Sequence, residues 1–241
     1  MMPLDLRPTP IVKKLMIGLF SIWLFFSFLI NFLGQEWARG LYEALSLDPS
    51  EAIFGFHFWQ LLTYSALHDF TNPSHIIFNL LGLFFLGPPL EQRWGARGFL
   101  QFVVFSALIA GIFSAVVGMA APGLFGARVV GVSGAIMAIL AAFSFVMPNA
   151  QILLFFVIPV QARWIVWIAV GMDAIFFLSG PQSSDLAIHT HLGGVLAAWL
   201  LITGNWRPSL LKDRLRLFTL KRRRRPSLKI VKGGRDDDML N

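Results

Sequence analysis

Residues 131 to 147 read GVSGAIMAILAAFSFVM, a run without an ionised residue whose third position is Ser133. Gly131, Gly134 and Ala138 leave one side of such a helix nearly bare, while larger apolar groups fill the others. A helix that is apolar all round belongs to the centre of a large soluble core or to a bilayer. Composition decides between them: 56% of the 241 residues are hydrophobic, only 14% are charged, and the mean hydropathy is +0.67. A soluble domain carries about 25% charged residues, so this chain lacks the polar surface to cover itself in water. The absence of Cys excludes disulfides, thiolate metal sites and a cysteine nucleophile, leaving chemistry to Ser, His, Asp, Glu, Asn and the backbone.

Working outward, stretches free of charge and long enough to cross a bilayer, about 17 to 25 residues, recur along the chain. They lie at 15–33, within 70–90, at 98–119, from Gly131 to about Met147, from about Ala162 to Ser179 despite Asp173, and within 186–206. Pro148 and Pro159 interrupt the charge-free run that continues to 162, so ILLFFVI (152–158) reads as an apolar loop. The fold expected is all-α: a polytopic membrane protein with a bundle of six transmembrane helices over residues 15–205. A short cytoplasmic N-terminus (1–14) precedes it, and a basic, disordered cytoplasmic tail (206–241) follows.

Charge orients the bundle. Residues 1–205 hold 8 Lys+Arg against 9 Asp+Glu, whereas 206–241 hold 12 against 4, so the net +7 belongs to the tail. Lys13 and Lys14 before the first span, Arg93 and Arg97 between the second and third, and KRRRR (221–225) after the sixth all fall on one side, which the positive-inside rule assigns to the cytoplasm. Loop 34–69 has one Arg, no Lys and five acidic residues, and belongs outside. Within loop 34–73, WARGLYEAL and HFWQLLTYSAL read as short amphipathic helices lying in the interface. The first span lacks a small-residue cleavage site and reads as a retained anchor. No internal repeat of 20 to 50 residues is visible, which weighs against a repeat-built transporter. The basic tail is read as an anionic-lipid contact, with nucleic acid set aside.

Three separated spans deliver polar groups to the outer leaflet under this topology. His75 and Asn79, at i and i+4, share one face of the second span; Ser133 opens the fourth; His189 and His191 open the sixth. Gly134 with Ala138 and Gly194 with Ala198 form small-xxx-small faces that let two membrane helices approach closely. Close approach is what a short serine needs to reach an imidazole on another helix. A hydroxyl beside an imidazole is a minimal activated nucleophile, and His75, the Asn79 amide and the Ser133 backbone N–H are candidate oxyanion donors. With no carboxylate near His191 on its own span, a Ser133-His191 dyad is favoured over a three-residue triad, and Asp173 is assigned a structural hydrogen-bonding role.

H-x-x-x-N at 75–79, G-x-S-G at 131–134 and H-L-G-G at 191–194, in that order on spans two, four and six, together resemble the rhomboid intramembrane serine proteases. The similarity runs through LLGLFFLGPPLEQRWG (80–95) and covers roughly residues 55 to 203. The resemblance implies Ser133 as nucleophile, His191 as base, and His75 with Asn79 as oxyanion donors, with no cofactor or metal. The chain departs from the family pattern at Met137, where a Tyr is common, at Trp59-Gln60, where Trp-Arg is common, and at Ala198, where Gly is common.

A serine in a glycine-rich membrane helix is commonly a packing residue, and a lone intramembrane His or Asn is commonly a helix–helix hydrogen-bond partner. Four such residues at one depth are harder to explain so, because polar burial in lipid is expensive. His189 reads as interfacial, and His57 and His68 as surface residues of the outer loop. The expected function is cleavage of a helix-weak transmembrane segment of another membrane protein near the extracytoplasmic leaflet. Water would enter past the polar loop (Thr63, Ser65, His68, Thr71, Asn72, Ser74), and span five or loop 179–187 would act as a gate. The competing readings are a catalytically inactive rhomboid-like protein that binds transmembrane clients, and a haem or metal carrier using His75 and His191. The home expected for the six-span form is a bacterial plasma membrane.

Overall fold

The computed structural model describes residues 7–154, 157–179 and 188–204. The expected tail (206–241), the first six residues and most of the expected gate loop (180–187) lie outside the described residues.

The described chain is mostly helical. Helix α1 (Pro10–Ser27) continues through a wider turn at Phe28–Phe32, and starts early enough to contain Lys13 and Lys14 rather than following them. Loop 34–73 holds α2 (Glu36–Leu45), α3 (Pro49–Ile53) and α4 (Gln60–Thr63), the last extended by a tight turn at Tyr64–Ala66. WARGLYEAL is therefore helical, and HFWQLLTYSAL is helical over 60–66. Helix α5 (Pro73–Ala120) is followed by the short α6 (Pro122–Phe125), then α7 (Ser133–Val146), strands β1 (Gln151–Leu154) and β2 (Ile158–Gln161), α8 (Ala162–Leu178) and α9 (Ile188–Thr203).

Helix α5 contains the second and third expected spans as arms 73–94 and 96–120, joined at Gly95 with φ 73° and ψ 164°. That conformation is nearly exclusive to glycine, and a Cβ there would touch nothing within 4 Å, so backbone freedom alone requires glycine. Beside this bend, the buried Glu91 carboxylate caps α1: it accepts from the Thr9 hydroxyl, from Ile11 N at 3.0 Å and from Val12 N at 3.0 Å. These are amides the first helical turn leaves without partners.

Two helical stretches, Pro10–Phe32 and Pro73–Ala120, are long and apolar enough to cross a membrane, and Ser133–Val146 and Ile188–Thr203 are shorter apolar helices. One expectation is corrected. In the stretch expected as an apolar loop, Ile152, Leu153 and Ile158 lie in the paired strands of an antiparallel hairpin, with Gln151 paired to Gln161 and Leu153 to Pro159, so the fold is not purely α. Prolines at 148 and 159 forbid a helix, and the β-branched Ile152, Val157, Ile158 and Val160 suit a strand.

The bundle closes around glycines. A Cβ on Gly194 of α9 would lie 1.9 Å from the Gly134 carbonyl oxygen and 3.2 Å from Ala138 N, so α9 sits directly on α7. On its other side, a Cβ on Gly193 would lie 2.9 Å from Ala110 Cα in the second arm of α5. Deep in this three-helix contact, the Thr190 hydroxyl donates to Ser114 Oγ at 3.0 Å. Both expected small-residue faces are thus in use.

Candidate active site

Ser133 is the first residue of α7, and its position is set by the two residues before it. Gly131 has φ 117°, and its amide donates to the Tyr64 carbonyl at 2.9 Å. Tyr64 is fully buried and its hydroxyl donates to the Ala107 carbonyl at 2.9 Å, so loop 34–73 fixes the entry to α7 against the second arm of α5. A Cβ on Gly131 would lie 2.8 Å from His75 Nε2 and 3.8 Å from Ser133 Oγ. His75 and Ser133, 58 positions apart in the chain, therefore flank the same bare glycine. As the first residue of α7, Ser133 also presents a backbone N–H that the helix cannot pair.

His75 lies in the first turn of α5, which starts at Pro73 and is capped by Asn72, whose side chain accepts from Ser74 N at 3.1 Å. Asn79, one turn further and buried, uses one amide hydrogen to donate to the His75 carbonyl at 2.9 Å. The second hydrogen of that amide remains for another acceptor.

The first turn of α9 sends three consecutive side chains three ways. Thr190 points to Ser114; His189 packs against Phe125 of α6 with ring centroids 5.0 Å apart; His191 reaches α8. His191 Nδ1 lies within hydrogen-bond distance of Asp173 Oδ2, at 2.8 Å, and both side chains are close to nine-tenths buried. Asp173 was expected to make structural hydrogen bonds in the bundle, and no carboxylate was expected beside His191. The structure brings one there from the neighbouring helix. The signal that could have found it is the position itself: a lone carboxylate in an apolar span needs a partner at matching depth, and α9 offers two histidines.

His191 stands one turn before Gly194, and Ser133 immediately precedes Gly134, so the α7–α9 glycine contact brings the two helix starts together. Among the described residues the Ser133 hydroxyl forms no hydrogen bond; such catalytic contacts often tighten only with substrate bound. Met137, one turn on from Ser133, is buried.

His189, expected to be interfacial, is buried, with neither ring nitrogen hydrogen-bonded among the described residues. One histidine expectation is overturned. His68 is not a surface residue. It is 1% exposed, its ring lies edge-on to His75 with centroids 5.2 Å apart, and burial, with the neighbouring His75 second, pulls its pKa from 6.5 to about 3. The wrong reading came from treating the outer loop as uniformly wet. His57 is only partly exposed and lies 3.6 Å from Glu51.

Gln60, which stands where the pattern this chain resembles commonly has an arginine, is fully buried and holds loop 34–73 together. Its amide donates to Glu51 Oε2 at 3.0 Å, and its carbonyl accepts from Asp48 N at 3.0 Å. The cation comes from elsewhere: Arg128 lies 2.6 Å from Glu51 Oε1 and 3.6 Å from Asp48 Oδ2. Hydrogen bonds from Gln60 and Arg128 hold the Glu51 carboxyl below its ordinary value.

Comparison with known proteins shows what this chain is similar to. The family model described as the Rhomboid domain matches residues 55–207. The "RHOMBOID-like protein 12, mitochondrial" of Arabidopsis thaliana is 30% identical over 137 residues, covering 52% of this chain and 40% of that protein. The "Rhomboid protein 1, mitochondrial" of Saccharomyces cerevisiae is 32% identical over 137 residues, covering 53% and 38% respectively. The matched region thus spans less than half the length of these two relatives. With the family match extending over more than half of its length, this chain belongs to the rhomboid family, whose members are membrane proteins.

Proposed function

We propose that this protein is an intramembrane serine endopeptidase. Ser133 attacks the carbonyl of a peptide bond in the transmembrane segment of another membrane protein, His191 takes the hydroxyl proton and returns it to the leaving amine, and no cofactor takes part. His75, the second amide hydrogen of Asn79 and the Ser133 backbone N–H stabilise the oxyanion. The observation that carries this reading is the convergence of three distant stretches: His75 and Ser133 flank Gly131, while Gly194 seats the His191 helix on the Ser133 helix.

The two arms of α5 supply the second and third of six spans, α1 the first, and α7, α8 and α9 the rest. Both termini face the cytoplasm and the site opens to the extracytoplasmic leaflet, with water entering past the polar outer loop. A bacterial plasma membrane is the home we assign; the mitochondrial location in the relatives' names is theirs. The substrate segment is helix-weak, because a peptide bond locked in a helix is shielded from the nucleophile, and α8 yields to admit it. The basic tail contacts anionic lipid.

The test is cleavage in reconstituted vesicles of two model transmembrane substrates, one with a Gly-Pro interruption near the outer leaflet and one with uninterrupted Leu. The wild type should cut the first and spare the second, and Ser133→Ala and His191→Ala should cut neither. A wild type that is folded and cuts neither substrate contradicts the reading. It would favour the second one, an inactive member of the family that binds transmembrane clients, for which the lack of a hydrogen bond to the Ser133 hydroxyl among the described residues speaks.

A further inference from the structure

We infer that Asp173 is the positioning residue for His191, so that the site works as a Ser133-His191-Asp173 triad rather than as a dyad; this rests on the reading of the chain as a serine endopeptidase. Asp173 sits on α8 in the sequence AVGMDAIFF, between apolar neighbours, and is 8% exposed. A carboxylate at such a place is costly and persists where something opposite needs it. What lies opposite is His191, with Nδ1 2.8 Å from Asp173 Oδ2.

The chemistry follows from what each atom can do. An ionised carboxylate only accepts hydrogen bonds, so the proton of neutral His191 resides on Nδ1 and the lone pair on Nε2. That is the tautomer a base needs to receive the Ser133 proton through Nε2. The same bond fixes the ring plane, with Nε2 on the edge of the ring away from Asp173. As Ser133 attacks, its proton moves to Nε2 and His191 becomes an imidazolium; Asp173 keeps its negative charge beside it and takes no proton. In water-poor surroundings a carboxylate at hydrogen-bond distance stabilises that cation far more than it would in water. The proton then leaves from Nε2 to the amine of the departing peptide, and the original tautomer returns.

The bond also ties α8 to α9, so a structural role has to be separated from a positioning one. Asp173→Asn keeps size and shape. Its amide can donate to Nδ1, which drives the proton to Nε2 and removes the lone pair that Ser133 needs. In reconstituted vesicles with the helix-weak substrate, we expect Asp173→Asn to leave KM within about twofold and to lower kcat by at least about 100-fold. The rate of fluorophosphonate labelling of Ser133 should fall in parallel, with the thermal midpoint within about 3 °C of wild type. Asp173→Glu, which restores the charge, should recover part of the labelling rate. Equal kcat and labelling rates in Asp173→Asn and wild type overturn the triad while leaving the endopeptidase reading intact. A loss that merely follows a lowered thermal midpoint also overturns it. A wild type that neither cuts nor labels sinks the endopeptidase reading and the triad with it. Should Asp173→Asn fail to fold, histidine 15N spectra of the wild type decide: His191 protonated on Nδ1 supports the inference, and His191 protonated on Nε2 overturns it.

Discussion

The rings of His68 and His75 meet edge to face, and only one of the two was legible as a candidate site residue. His75 announced itself through Asn79 one turn later, a spacing that places both on one helix face. His68 gave no such signal, because burial of a loop residue depends on how the loop folds back, and nothing in its neighbours encodes that. Its pKa, lowered to about 3 by burial and then by His75, has a direct consequence. Folded His68 stays neutral where the unfolded chain protonates near 6.5, so its contribution is intact above that pH. It is lost progressively as pH falls from 6.5 toward 3, at up to about 1.4 kcal/mol per pH unit. Thermal unfolding in detergent at pH 7.5 and 5.0 should show a smaller acid loss for His68→Phe than for wild type; equal losses count against this account. If Asn79 completes the oxyanion site through its second amide hydrogen, Asn79→Ala should lower kcat by about 10²-fold or more with little change in KM. A kcat within threefold of wild type would remove Asn79 from the mechanism. Asp173 was visible in the sequence as a lone charge in an apolar stretch, but its partner was not, since the contact crosses between two helices whose relative rotation no local pattern specifies.

At the scale of elements, gaps between charged residues located the helices within a few positions. Packing then depends on groups that pattern alone leaves underdetermined. The Gly194 contact is one: Gly-xxx-Ala spacing marked a close face, and the structure shows that the face leaves no room for a methyl group. Gly194→Ala would have to separate α7 and α9 by about 1.5 Å or more to reach ordinary contact distance. It should therefore lower both the thermal midpoint and the Ser133 labelling rate. Retention of both would mean the helices are held by something else. Glu91 makes a contrasting case. Removing its carboxylate strands the amides of Ile11 and Val12, so Glu91→Ala should destabilise by about 2 to 4 kcal/mol while leaving the labelling rate of folded protein unchanged. The hairpin at 151–161 escaped the sequence reading because an apolar run between prolines fits a loop as readily as a strand until the pairing of its two halves is seen.

For the whole molecule, the proposed topology rests on where positive charge gathers, and the absence of Cys from the chain makes it directly testable. A membrane-impermeant maleimide added outside sealed, right-side-out vesicles should label Glu43→Cys in the outer loop and spare Arg97→Cys until the membrane is opened. The reverse pattern would invert the orientation and move the site to the other leaflet. The central claim is that Ser133 is an activated nucleophile, and it is tested most directly by exposing the reconstituted protein to a fluorophosphonate and locating the adduct by mass spectrometry. The expected result is a single adduct on Ser133, absent in Ser133→Ala and strongly reduced in His191→Ala. Folded wild-type protein that acquires no adduct, or one on another serine, would contradict the account.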